Sequence, residues 1–242
     1  MRLLIIRHGD PDYAIDGLTE VGKIEAELLA ERLAKEGVSA IYCSTLGRAR
    51  ATAEPTVRRL GLSAEYCEWL REFDYAKVYR PWEDEYSCAW DVLPEYMAAH
   101  PDMYHPADWL GSDLIKDTDI PIRYPEVCKA FDAMLASHGY VRDGLSYRAL
   151  EANHDTVAIF CHYGVTAVLL SHLMNCSPYS LWQHTVTPPT SISILHTEER
   201  REGIAHFRMA ALGDTAHLYA NGRAPSFSAR FCECFTDDTR HD

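Results

Sequence analysis

Arg2-Leu3-Leu4-Ile5-Ile6-Arg7-His8-Gly9 decides the fold, because a short apolar run ends abruptly in a guanidinium, an imidazole and a glycine. Leu3 to Ile6 show no polar alternation, so the segment reads as a strand buried on both faces. Such runs belong to parallel strands covered by helices on each side. Ligands of these sheets bind at the carboxyl ends of the strands. Gly9 lets the backbone turn tightly away and leaves Arg7 and His8 at the crevice.

The arrangement recurs twice. Ser39 to Cys43 reads as a second short strand, and Ser44-Thr45-Leu46-Gly47-Arg48-Ala49 after it puts Arg48 in or near the first turn of a helix. Thr156 to Cys161 is a third run, ending in His162-Tyr163-Gly164 ahead of a helical pattern from Val165 to Met174. If these strands are neighbours, Arg7, His8, Arg48 and His162 converge. Two guanidinium forks and two imidazoles at one point repel one another unless a dense anion lies between them, and nearby helix amino ends favour the same sign of ligand. A phosphoryl group fits that description.

The chain of 242 residues is long enough for one large α/β domain. Its opening apolar stretch is too short for a signal peptide or a membrane span, which predicts a cytoplasmic protein. The formal charge of −13 makes nucleic acid and anionic membranes poor partners, so cationic character is expected only in a local pocket. Cysteines at 43, 67, 88, 128, 161, 176, 232 and 234 have no metal-like pairing and read as reduced thiols. Twelve histidines include no His-x-x-x-His or His-Glu-x-x-His spacing, so neither a metal nor another cofactor is expected.

Thr19 is placed to cap the first helix, with Glu20 in its first turn, and Val21, Ile24, Leu28 and Leu33 are expected to cover the sheet. Residues 45–60 form the next helix, with Pro55 expected to kink or loosen it. From Phe73 to Asn153 the composition shifts to tryptophans, tyrosines and prolines. It predicts short helices and turns rather than strands, an inserted helical cap over 73–153 within a single domain spanning 1–242. Residues 191–195 and 205–210 read as an antiparallel pair at the sheet edge, and the acidic end from Thr236 to Asp242 as frayed.

The motifs Arg7-His8-Gly9, Leu18-Thr19-Glu20-Val21-Gly22, Ser44 to Ala53, Leu70-Arg71-Glu72 and Phe160-Cys161-His162-Tyr163-Gly164-Val165 resemble, in order and placement, those of the histidine phosphatase superfamily, the phosphoglycerate-mutase-like group, branch 1. The resemblance implies a three-layer α/β/α fold with a mostly parallel central sheet. It implies a metal-independent phosphomonoester hydrolase in which His8 attacks phosphorus and carries the phosphoryl group, while Arg7, Arg48 and His162 hold its oxygens. Glu72 matches the family's acid/base, with Asp74, Glu83 and Asp84 as substitutes, and Tyr13 and Tyr163 are expected to contact substrate. The substrate expected is a small phosphate ester, and homodimerisation is left open. True mutases of the family resemble one another in a serine or threonine and a Trp-Asn pair soon after the triplet. Here the chain reads Asp10-Pro11-Asp12-Tyr13, which favours hydrolysis over phosphoryl transfer; a third reading, a catalytically idle phospho-ligand binder, is disfavoured because both histidines, both arginines and a candidate acid are present.

Overall fold

A computed structural model describes residues 1–75, 77–227 and 234–236. In chain order it runs β1 (Arg2–Arg7), the short pair β2 (Pro11–Asp12) and β3 (Gly17–Leu18), α1 (Glu20–Leu33), β4 (Val38–Ser44), α2 (Gly47–Leu60) and β5 (Ala64–Cys67). There follow the hairpin β6 (Lys77–Arg80) and β7 (Glu85–Cys88), α3 (Pro94–Ala99), α4 (Ile120–Ser137), and the hairpin β8 (Tyr140–Asp143) and β9 (Ser146–Ala149). The chain ends with β10 (Thr156–Cys161), α5 (Tyr163–Met174), α6 (Tyr179–Trp182), β11 (Ile192–Arg201), β12 (Ile204–Asp214) and α7 (Ala216–Tyr219).

One 8-stranded sheet has the order β5-β4-β10-β1-β11-β12-β9-β8. The first four strands are mutually parallel, and β11 joins β1 antiparallel. Alternate residues of β1 feed separate cores. Leu4 and Ile6 pack with Leu29 and Leu33 of α1 and Ala49 and Ala53 of α2. Leu3 and Ile5 face the other layer, with Phe131 and Leu135 of α4 and Val168 and Leu169 of α5. That double burial is why β1 carries no polar alternation.

Thr19 caps α1 as expected, its hydroxyl accepting from Gly22 N at 3.0 Å. The buried face of α1 is rotated from the expected one: Gly22, Ala26, Leu29, Ala30 and Leu33 pack inward, whereas Val21 and Ile24 are exposed. At the first turn the inward position is a glycine because α1 there lies close to the segment that follows β1. A Cβ at Gly22 would stand 2.3 Å from Asp10 O. Helix α2 runs unbroken to Leu60 with Pro55 inside it.

The segment expected to be a single cap over 73–153 divides. Residues 120–149 belong to the body, since α4 covers the sheet and β8 and β9 extend its edge. The cap is the shorter stretch before Ile120, and it includes the β6–β7 hairpin where only helices and turns were expected. Its aromatics are largely core: Trp109 stands edge-on to Tyr179 and Trp182 at 6.1 and 6.3 Å between ring centres, which ties the cap to α6. Residues 237–242, expected to fray, and Cys232 lie outside the described residues. The described cysteines are all free thiols, with 43, 67, 128 and 161 buried. Among the described residues no helix is long and apolar enough to cross a membrane.

Candidate active site

Three adjacent parallel strands, β4, β10 and β1, end side by side and deliver Ser44, His162 and the Arg7-His8 pair to one place. Arg48 arrives from the first turn of α2, and α5 opens with its amino end immediately after His162. Arg7, His8, Arg48 and His162 are all buried, and the two imidazole rings lie 5.0 Å apart, tilted by 57°.

Hydrogen bonds fix what each ring can do. His8 Nδ1 lies 2.7 Å from Gly9 O, and a carbonyl can only accept, so the His8 proton resides on Nδ1 and the Nε2 lone pair is the reactive one. His162 Nε2 lies 2.8 Å from Ser44 Oγ, which itself accepts from Leu46 N at 3.2 Å. The serine proton can therefore go to Nε2, leaving His162 to donate from Nδ1. That Nδ1 and the Nε of Arg48 are buried without a hydrogen-bond partner among the described residues. Buried donors of this kind are costly unless an acceptor arrives.

Burial first, then the Arg7 charge, pushes His8 well below the usual imidazole range; the bond to Gly9 O opposes this, and the Arg48 charge adds a smaller push in the same direction as burial. Burial also lowers His162, helped by His8, Arg48 and Arg7. Both rings are thus neutral, as a nitrogen nucleophile and a neutral donor require. The flanking structure holds them in place. Gly9 N donates to Thr52 Oγ1 at 2.9 Å, and Arg7 Nη1 donates to Thr187 O at 2.9 Å.

Glu72 follows the short 3-10 turn after β5 and is buried at the amino end of α5. Its Oε1 accepts from Phe73 N at 2.8 Å and Val165 N at 3.1 Å. Burial raises its carboxyl above the ordinary range, with the backbone donors pulling back. Gly164 makes this contact feasible: a Cβ there would lie 2.7 Å from Glu72 Oε1 and 2.1 Å from Cζ3 of Trp90. The cap's Trp90 therefore lies directly against the helix end that holds the acid.

Of the substitutes for Glu72, Asp74 is exposed, Glu83 pairs with Arg80 at 2.6 Å, and Asp84 accepts from the Tyr79 hydroxyl. Tyr13 lies at the rim with the Arg48 guanidinium 5.4 Å over its ring. The Tyr163 hydroxyl is 2.8 Å from Trp182 O and 3.0 Å from Thr185 O, so its polar end is bonded to main chain, and its ring meets Trp90 edge-on.

Asp16 has no place in the sequence reading. Its carboxylate accepts from Gly47 N at 2.6 Å and Arg48 Nη1 at 2.7 Å, which aims Arg48 from behind. An acid in a turn before a glycine is a weak signal, and only the fold brings it to α2.

Residues 3–113 and 141–209 match the model of the histidine phosphatase superfamily, branch 1. A probable phosphatase of Schizosaccharomyces pombe is 26% identical over 237 residues, spanning 90% of this chain and 95% of its own. The structure of the Entamoeba histolytica phosphoserine phosphatase in complex with 3-phosphoglyceric acid superposes with a TM-score of 0.60 at 17% identity, covering 90% of this chain and 98% of that one. A mycobacterial glucosyl-3-phosphoglycerate phosphatase gives 0.57 at 20% identity over 88% and 99%. The two superpositions show a shared fold. With the family model matched over most of its length, this chain belongs to the histidine phosphatase superfamily, branch 1, and is a phosphoric monoester hydrolase.

Proposed function

We propose that the chain hydrolyses a small phosphate monoester in two steps through a phosphohistidine on His8. The observation that carries this is the His8 tautomer. Nδ1–H is bound to Gly9 O, which leaves Nε2 as an unprotonated nucleophile beside three buried cationic or donor side chains. Nε2 attacks phosphorus as the ester oxygen leaves with a proton from Glu72. Water then attacks the phosphohistidine, losing its proton to the same carboxylate. Arg7, Arg48 and His162 Nδ1 stabilise the charge on the non-bridging oxygens in both steps. These groups supply the charge that a divalent ion would otherwise bring, so the reaction runs without metal.

Relatives named for phosphoserine and glucosyl-3-phosphoglycerate support a small phosphorylated metabolite as substrate. The acidic net charge supports a partner list without nucleic acid or anionic membrane, and the free thiols fit a reducing, cytoplasmic setting. The test is to quench turnover of a phosphate ester labelled with ³²P at alkaline pH, where phosphohistidine survives. Label on the wild-type chain and none on His8→Ala, which also loses turnover, is the expected result. Wild-type activity in His8→Ala overturns the assignment. Transfer of label to a second phosphoglycerate instead of water would assign mutase chemistry.

A further inference from the structure

Thr190 is buried and held at φ +55°. The other non-glycine residues at positive φ among the described residues are Asp16, Asp84 and Asn175, whose short polar side chains tolerate that backbone. A β-branched residue does not, so something must hold Thr190 there. The reason for the conformation lies next door: Thr190 N donates to His8 O at 3.1 Å. On either side, Ser191 O accepts from Arg7 N at 3.2 Å and Thr187 O accepts from Arg7 Nη1 at 2.9 Å. The regular pairing of β11 with β1 ends at Ile6 and Ile192. Segment 187–191 carries the contact further, onto Arg7 and His8 themselves, and the left-handed turn at Thr190 is what aims its N–H at the His8 carbonyl.

His217, in the first turn of α7, supplies the support. Thr190 Oγ1 gives its own proton to Pro189 O at 2.8 Å, so toward His217 Nε2, 3.2 Å away, it can only accept. His217 therefore carries its proton on Nε2. Its Nδ1 is buried without a partner among the described residues, an arrangement that costs stability and is redeemed by no other polar contact of the ring. The geometry points to a positioning relay in which His217 holds Thr190 in its left-handed conformation and Thr190 fixes the main chain of the nucleophile His8. Neither residue touches the reacting atoms. The relay rests on His8 being the nucleophile.

The test is steady-state kinetics of the full chain on 4-nitrophenyl phosphate, with melting temperatures measured alongside. His217→Leu is expected to lower kcat by about tenfold or more with KM within about twofold, because a displaced nucleophile costs rate rather than ground-state binding. His217→Gln, whose amide N–H can still donate to Thr190 Oγ1, recovers most of kcat. Thr190→Val keeps the shape and removes only the hydroxyl; it gives the same loss and carries the test if His217→Leu does not fold. The double variant falls no further than either single one. Wild-type kcat in both single variants, a Gln variant no better than the Leu variant, or losses that multiply would each overturn the relay. His8→Ala run in parallel separates the two levels. If it retains turnover, the nucleophile assignment has failed; if it is inactive while His217→Leu and Thr190→Val match wild type, only the relay has.

Discussion

Replacing Glu72 with glutamine removes a transferable proton and little else. Oε1 is occupied by Phe73 N at 2.8 Å and Val165 N at 3.1 Å, so the proton the acid delivers has to sit on Oε2. A glutamine carbonyl takes over both backbone bonds. It avoids the roughly 1–3 kcal/mol for each orphaned buried donor that Glu72→Ala would incur. What remains is the loss of general acid catalysis, about 10²–10⁴-fold. Glycerol phosphate, which expels a strongly basic alkoxide, takes that loss in kcat/KM, whereas 4-nitrophenyl phosphate expels a weakly basic phenolate and loses about tenfold or less. Burial raises the Glu72 carboxyl, so the proton persists above the ordinary carboxylate range. The wild-type alkyl rate should decline as pH rises through that elevated value, with the aryl rate much less affected. If breakdown of phosphohistidine limits the aryl ester, labelled phosphohistidine accumulates in Glu72→Gln. Equal rates of variant and wild type toward both esters, with no trapped intermediate, refute the reasoning and redirect the search to Asp74, Glu83 and Asp84.

Chelator should leave hydrolysis intact; activity lost in chelator and restored by Mg²⁺ or Zn²⁺ contradicts the all-protein site. Gly164→Ala forces a Cβ to 2.1 Å from Trp90 Cζ3, and overpacking of that kind costs about 1–3 kcal/mol. A lowered melting temperature together with lost kcat is expected, and an unchanged melting temperature counts against the contact. His8 and His162 are lowered by burial first, and His217 is pushed down to about 4 from 6.5 by the same cause. Below pH 6.5 the unfolded chain therefore binds more protons than the folded one. Stability does not change on this account above 6.5, and each such histidine removes about 1.4 kcal/mol per pH unit as pH falls towards its folded value. Urea midpoints between pH 7 and pH 4 should show this decline, less steeply in His8→Ala; a flat profile refutes it.

The strand tips were legible because β1 and β10, buried on both faces, cannot alternate and so read as apolar runs leading into Arg7-His8 and His162, while the less covered β4 ends in Ser44 just ahead of Arg48. Arg7, His8, Arg48 and His162 followed from position on those runs. Glu72 needed the family resemblance, since a carboxylate after a short edge strand has no periodic signal of its own. The body's second half was missed for a local reason. Tyr140 to Ala149 is a hairpin whose first turn residue, Gly144, has φ +59°, and the Asp143-Gly144 pair was a readable turn signal passed over because the aromatic and proline-rich stretch before it was extended to Asn153. The face of α1 was read correctly at Leu33 but not at its start, where Val21 and Ile24 lie outside and Gly22, Ala26 and Ala30 share the inner face with Leu29 and Leu33. Asp16, Thr190 and His217 depend on contacts between distant segments, which no spacing rule reaches.

The insertion of β10 between β1 and β4 also orders how the molecule is made. During synthesis Arg7, His8 and Arg48 emerge well before residues 156–161, yet β1 and β4 have no direct pairing and must wait for the late strand to join them. A nascent chain ending before β10 also lacks β11, so β1 is unpaired on both sides and β4 on one, which leaves it prone to association. Pairing across such sequence separation is intrinsically slow. A phosphate group bound as proposed would find its full set of partners only after that closure. Its presence should pull the last folding step to completion by mass action.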